Sequence, residues 1–346
     1  MSNFPKVAVV ILNWNGLKHL EQFLPSILAS TYPNLDVIVG DNASTDGSVV
    51  FLQARYPSVG IIENKENYGF TGGYNRILTQ VEADYYVLLN SDVEVTPGWI
   101  EPVIALMESD ERIAAAGPKL KSYTQKTHFE YAGAAGGFID HFGYLFCRGR
   151  IFDALEEDLG QYDTQSEVFW VSGAALFIRK KLWDAAGGLD ESFFAHMEEI
   201  DLCWRLKNMG YKVMYCPQST VYHVGGATLN AESPFKTYLN FRNNLLMLKN
   251  NLTFWRAVWV IGIRFWMDLL ALAKFLAEGK TKNAWAISKA HQNFVRRLFW
   301  KTKANHLKVK GIAWQHLTGY YARSIVWDFF VGKKRKFSQL IAKAFQ

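Results

Sequence analysis

The chain has 346 residues, 49% hydrophobic and 20% charged; this excludes a disordered or fibrous protein and suffices for one large α/β domain with an appendage, or two modest domains. The net charge of +6 hides an asymmetry: Met1 to Leu239 carries 18 basic and 29 acidic side chains, net −11, whereas Asn240 to Gln346 carries 20 and 3, net +17. Cys147, Cys203 and Cys216 have no CxxC spacing and cannot all pair within one chain, which argues for a reducing compartment and against a zinc cluster.

The opening MSNFPKVAVVIL lacks the charged start, long apolar stretch and cleavage site of a signal peptide, so a cytoplasmic protein is expected. Lys6 to Leu12 reads as a β-branched strand that breaks at Asn13-Trp14-Asn15-Gly16 before a helix from His19 to Ser30. Asp36 to Gly40 is a second apolar run, leading into the polar loop Asp41 to Gly47. Val59 to Ile62 is a third, followed by Asn67 to Gly73 and a helical pattern into Gln80, and Tyr85 to Leu89 is a fourth. Short apolar strands alternating with helices indicate βαβ units and a mainly parallel central sheet flanked by helices. In such sheets ligands bind beyond the carboxyl ends of the strands, where these polar loops lie.

Gly117 to Arg150 reads as Gly- and aromatic-rich loops or short strands shaping a pocket. Order returns at Val168 to Ile178, followed by helices at Lys181 to Gly187 and Glu198 to Gly210 and short strands at Val213 to Tyr215 and Thr220 to Tyr222. The change in composition divides the chain into an expected catalytic domain at 1–235 and a basic, aromatic-rich helical region at 236–346. Asn251 to Ala277 is strongly apolar but interrupted by Arg256, Arg264, Asp268 and Lys274. A helix in the membrane interface is therefore expected, with basic side chains reaching phosphate head groups and Lys333-Lys334-Arg335-Lys336 adding attraction to anionic lipid. An ordinary helical subdomain with a solvated basic face is the alternative, and no nucleic-acid motif accompanies the charge.

The strand ending at Leu89 delivers Asn90-Ser91-Asp92. Mg²⁺ or Mn²⁺ shared with a substrate diphosphate needs only one or two protein carboxylates; an Asx turn or helix cap would use the same triplet structurally. His196-Met197-Glu198-Glu199-Ile200-Asp201 concentrates three carboxylates in four positions. On a helix, neighbours point about 100° apart, so Glu199 can face a pocket while Asp201 turns toward the scaffold, and the cluster is the best candidate for a general base. Each of them is also favourable at a helix N-terminus for its charge alone. His223, in VYHVGG, is either structural or a metal ligand.

In order, VVILNWNG, VGDNASTDGS, ENYGFTGGYN, LLNSDVEV, SGAALFIRKKLWDAAGGLDESFF, HMEEIDLCWR and VYHVGG resemble the family 2 glycosyltransferases of the GT-A fold, particularly their rhamnosyltransferase-like branch. The resemblance runs from Val7 to Gly226 and implies an inverting hexosyl transfer from a nucleotide-diphosphate sugar. Asp41 matches the aspartate that contacts the base, with Leu12 and Asn13 lining the same pocket and Asn67, Gly69, Gly73 and Asn75 in the loop beside the nucleotide. Asp92 matches the last, metal-binding aspartate of the DxD-type motif, whose first position is Asn90 here, and His223 a histidine that assists metal or diphosphate. Glu199 falls at the catalytic base, in E-E-I-D-L where the family often has E-D-x-D-L, with Glu198 second. Trp170, Ser172 and Gly173 match the position shaping the sugar and acceptor pocket, with which Asp201 is grouped; Asp190 and Glu191 hold loops.

The implied cofactor is Mg²⁺ or Mn²⁺. The implied donor is dTDP-rhamnose, with a UDP-hexose or UDP-N-acetylhexosamine as alternative, and the expected acceptor is a lipid-linked saccharide, because the basic aromatic C-terminal region favours a membrane face. A peripheral protein of the cytoplasmic membrane face is expected. A non-catalytic sugar-nucleotide-binding protein is the other reading. An oxidoreductase is disfavoured because NWNG replaces GxGxxG and no GxxxxGK[ST] loop is present.

Overall fold

The computed structural model describes residues 4–225, 233–299 and 313–346; Gly226, which closes VYHVGG, lies outside them. Strands β1 (Val7–Asn13), β2 (Leu35–Asp41), β3 (Gly60–Glu63) and β4 (Tyr85–Asn90) are parallel, in the order β3-β2-β1-β4. The sheet continues through β12 (Ala175–Arg179), antiparallel to β4 and to β6 (Ile113–Ser122), and then β13 (Lys212–His223), parallel to β6. The short strands β5 (Val93–Val95) and β11 (Ser166–Glu167) pair antiparallel with β13. What reads in sequence as two short strands is thus one, with a register irregularity between Cys216 and Thr220.

Both faces are covered, since β1 is apolar from Val7 to Leu12 and alternates its side chains between two cores. Val7, Val9 and Ile11 meet α1 (Leu17–Leu28), α2 (Ser48–Arg55) and α4 (Glu101–Glu108). In α1, Leu20, Phe23, Leu24 and Ile27 make the buried stripe expected of an amphipathic helix. Ala8 and Val10 meet α3 (Gly69–Leu78), α5 (Lys180–Ala186) and α6 (Glu198–Asn208).

Residues 137–155 form a second sheet: β7 (Gly137–Asp140), β8 (Leu145–Cys147), β9 (Arg150–Ile151) and β10 (Ala154–Leu155). Its other edge is β14 (Tyr320–Tyr321), supplied by the C-terminal region and parallel to β7. The two sheets meet where Gly137 pairs with Trp170, and the indole N–H donates to the Phe138 carbonyl at 3.1 Å. A Cβ on Gly137 would stand 2.0 Å from the Trp170 ring, so only glycine fits.

The helices α7 (Pro234–Asn251), α8 (Phe254–Ala277) and α9 (Thr281–Arg296) pack together, followed by α10 (Ile325–Phe330). Their buried residues join the same core as α6, and Trp314 stacks on Trp204 at 5.6 Å. Arg264, expected among the basic side chains that reach head groups, is instead buried with Asp268: they lie 3.4 Å apart, with Asn244 on Arg264 at 2.6 Å and His291 on Asp268 at 3.0 Å.

Candidate active site

Register alone collects the first residues. Leu12 pairs with Asn90 and Asn13 with Asp41, so the carboxyl ends of three neighbouring parallel strands deliver these groups to one edge. The Asn13 amide donates to Asp41 at 3.0 Å and to Ser44 at 3.1 Å, and the other Asp41 oxygen accepts the Ser44 N–H at 2.8 Å. Asn67 accepts from the Asn42 amide at 2.8 Å and the Gly69 N–H at 2.9 Å, fixing the second loop against the first. Gly73 lets α3 close onto Leu12, since a Cβ there would come within 2.9 Å of it.

Asp92 is buried at the turn into β5, and the pairing of β5 with β13 brings His223 beside it. His223 Nε2 lies 3.2 Å from Asp92 Oδ1 and 3.5 Å from the Asn90 amide, while its Nδ1 lies 3.4 Å from Glu130 Oε1. Burial works against charge on this imidazole, but hydrogen bonding to Asp92 and Glu130 outweighs it and lifts the pKa to about 10. Burial raises the Asp92 pKa, yet its bond to His223 leaves it below the usual aspartate value. Among the described residues no three His, Cys, Asp or Glu side chains converge as a closed metal cage. Asp92, with Asn90 alongside, fits an open site whose remaining ligands are substrate and water oxygens, and His223 would join it by giving up the proton it shares with Asp92 and Glu130.

The carboxylate cluster begins α6. Burial, followed by the charge of Glu199, pushes the Glu198 pKa up; burial also raises the pKa of Tyr74, with a smaller contribution from nearby Glu198. Glu199 is half-buried against Gly173: a Cβ on Gly173 would sit 3.5 Å from both Glu199 Cβ and the Phe70 ring, so the glycine leaves that space open. Burial raises Glu199 to about 7, opposed by backbone N–H groups including that of Gly173. Glu198 Oε2, Glu199 Oε2, His196 Nε2 and Thr71 Oγ are buried without a hydrogen-bond partner. Such atoms are costly in a finished core and suited to a site that meets a polar ligand.

The segment before α6 is held in an unusual backbone. Phe194, His196 and Met197 have φ of 66°, 69° and 75°, a left-handed region that non-glycine residues adopt at a cost. The Phe194 carbonyl accepts from Phe70 N at 2.8 Å and Thr71 N at 3.2 Å, and Asn243 of α7 donates to the carbonyls of Phe193, Ala195 and His196 at 2.7–3.0 Å. A Cβ on Gly69, whose φ is 71°, would overlap the Phe194 ring at 2.5 Å.

Three sequence candidates do not face this pocket. The Asn75 amide is committed to the Leu189 backbone through both its ends, at 2.8 and 2.9 Å. Asp201 is fully buried between Arg205 at 2.8 Å and Asn251 at 2.7 Å, and Trp170 sits in the seam between the sheets. Ser172 is buried and accepts the Ala174 N–H at 3.2 Å, shaping the turn that carries Gly173. Glu130, Asn243 and Lys236 carry no local sequence signal, and the fold brings them beside these groups. Lys236, on the first turn of α7, forms no ion pair among the described residues; burial lowers its pKa, Glu130 opposes that, and its charge helps burial hold His196 down to about 4.

The arrangement is that of the GT-A fold. The chain superposes on GalNAc-T7, solved with UDP, GalNAc and Mn²⁺, with TM-score 0.56 and 16% identity over 72% of this chain and 48% of that one, so it spans about half its length. It superposes on a Pyrobaculum calidifontis mannosyltransferase, solved with GDP-Man and Mn²⁺, with TM-score 0.51 and 14% identity over 85% and 88%. The chain belongs to the glycosyl transferase family 2, which it matches over residues 8–184, and is a glycosyltransferase. Among curated relatives, the N-acetylglucosaminyl-diphospho-decaprenol L-rhamnosyltransferase of Mycobacterium tuberculosis is 28% identical over 230 residues, 62% of this chain and 75% of its own. A Haloferax volcanii hexosyltransferase of low-salt glycan biosynthesis is 22% identical over 245 residues, 69% and 74% of the two chains.

Proposed function

We propose that the protein transfers a sugar with inversion from a nucleotide diphosphate to a saccharide acceptor carried on a lipid, with dTDP-rhamnose as donor, during cell-surface polysaccharide synthesis at the cytoplasmic membrane face. The observation that carries the chemistry is Glu199: a half-buried carboxyl with an unpartnered oxygen and a pKa near 7, against the gap left by Gly173. The similarity to a decaprenol-linked rhamnosyltransferase supports the choice of donor and acceptor.

In this mechanism Asp41 and the Asn13 and Asn67 loops hold the base. Ionised Glu199 accepts the proton of the acceptor hydroxyl as its oxygen attacks the anomeric carbon opposite the diphosphate. The bond from that carbon to the diphosphate oxygen breaks in the same displacement, with no covalent sugar on the protein. Lys236 meets charge growing on the leaving group. Asp92 and His223, with Asn90, would hold Mg²⁺ or Mn²⁺, which supplies further neutralisation of the diphosphate.

The test is a thermal-shift screen of dTDP-, UDP- and GDP-sugars with and without Mn²⁺, followed by the anomeric configuration of the product. Metal-dependent stabilisation by dTDP-rhamnose and an inverted product are expected. Preference for a UDP-sugar overturns the donor assignment, and a retained anomer overturns the mechanism.

A further inference from the structure

Helix α8 is built inside out. Along its 24 residues, the side chains turned toward the protein include the Arg264 and Asp268 pair, whereas Trp255, Val258, Trp259, Trp266, Leu269 and Leu270 are exposed. Trp255, Trp266 and Leu270 are 79%, 74% and 73% exposed. Their spacing of three, four or seven residues, with exposed Gly262 between Trp259 and Trp266, draws one continuous apolar stripe. A helix whose charges satisfy one another inward and whose tryptophans face out is not solvated as an ordinary surface helix.

The surface extends beyond α8. The Trp259 ring lies 5.5 Å from His141, and His141 joins Arg323 and the exposed Trp327 around a shallow pocket of about 310 Å³. Lys274 lies 5.6 Å from the ring of exposed Phe330, tying α10 to the far end of α8. On α9, Lys282, Trp285 and Lys289 share an exposed face, and exposed Lys333 and Lys336 follow α10.

The charge balance selects the occupant. Of the three acidic residues after Asn240, Asp268 and Asp328 are buried and paired, and Glu278 sits between Lys274 at 3.7 Å and Lys280 at 3.8 Å. Among the described residues no helix is long and apolar enough to cross a membrane. We propose that the outward face of α8, with Trp327 and Phe330, lies in the surface layer of a bilayer carrying anionic lipid. Its tryptophans sit at the acyl boundary and its flanking lysines at the phosphates. The proposal deepens the lipid-linked reading above by naming the surface and its orientation: Arg264 and Asp268 fasten α8 to the protein instead of reaching the lipid.

The test uses flotation of the full chain with vesicles of phosphatidylcholine, with and without phosphatidylglycerol, and Trp quenching by brominated lipid. Wild-type protein should float with the anionic vesicles and be quenched. Trp255→Glu/Trp266→Glu/Leu270→Glu, which alters only exposed positions, should retain its melting curve and partition about tenfold less or weaker still. Equal flotation of the triple variant overturns the proposal, as does failure of the wild type to float. A wild-type dimer that the triple variant converts to monomer, with neither binding vesicles, assigns the stripe to a second copy of the chain and also overturns it. Transfer by the wild type to a water-soluble acceptor is measured in parallel: wild-type protein that transfers but does not float contradicts the membrane surface alone, and wild-type protein that floats but does not transfer contradicts the reaction alone.

Discussion

Glu198 and Glu199 are adjacent in the chain and differ in surroundings: one is buried beside Tyr74, the other opens past Gly173. Glu199→Gln should cost about 10²–10⁴ in kcat while preserving the fold, and the size of that loss in a donor-saturated assay checks its role as base. The pH profile should follow. Activity needs the ionised carboxylate, so kcat should rise with pH through about 7. Stability runs the other way, because a folded-state pKa raised above the ordinary 4.5 favours the protonated group in the fold. Its contribution is complete below about 4.5 and is lost as pH rises through about 7; Glu199→Gln should flatten that part of a stability-against-pH curve. At the other end of the site, Asp92→Asn should remove most of the Mn²⁺-dependent part of the donor-induced thermal shift, with a smaller change in the metal-free part. Asp41, Asn13, Asn90 and Asp92 were legible because apolar runs stop at them, and register then aligns them. Asn75, Trp170 and Asp201 were legible as residue types, but whether an amide or carboxylate faces a pocket or a neighbour is decided by packing that no local pattern encodes.

At the scale of elements, the segment 190–197 is set by its clamps. It enters α6 through three non-glycine residues at positive φ, and α3 and α7 grip its carbonyls. Asn243→Ala should lower stability by about 1–3 kcal/mol because several buried carbonyls lose their donor, and kcat should fall by more than donor affinity does. Denaturant titration and the separation of kcat from KM check the two effects. The parallel strands and their following loops were readable from short apolar runs. The second sheet was not, because strands of two to four residues between glycines carry too few positions for a period to show.

Across the whole molecule, the C-terminal region is both partner and wall. β14 closes the small sheet, Trp314 covers Trp204, and α7 holds the segment that leads into α6. We propose that 1–235 and 236–346 melt as one unit, so that removing residues 313–346 uncovers Phe146, Phe169 and Trp204 and yields a chain without a cooperative melting transition, which calorimetry can check. The change in composition near Lys236 was plain in sequence, whereas the return of a two-residue strand to β7 left no signal there. If Glu199 is the base of the glycosyl transfer, removing its charge should slow the chemical step and spare donor binding. The measurement is the single-turnover rate of dTDP-rhamnose with a lipid-linked saccharide for wild type and Glu199→Gln, with donor affinity determined on the same samples. The rate of Glu199→Gln should be lower by about 10²–10⁴ at unchanged donor affinity; a variant that turns over within a factor of a few of wild type would contradict Glu199 as the base.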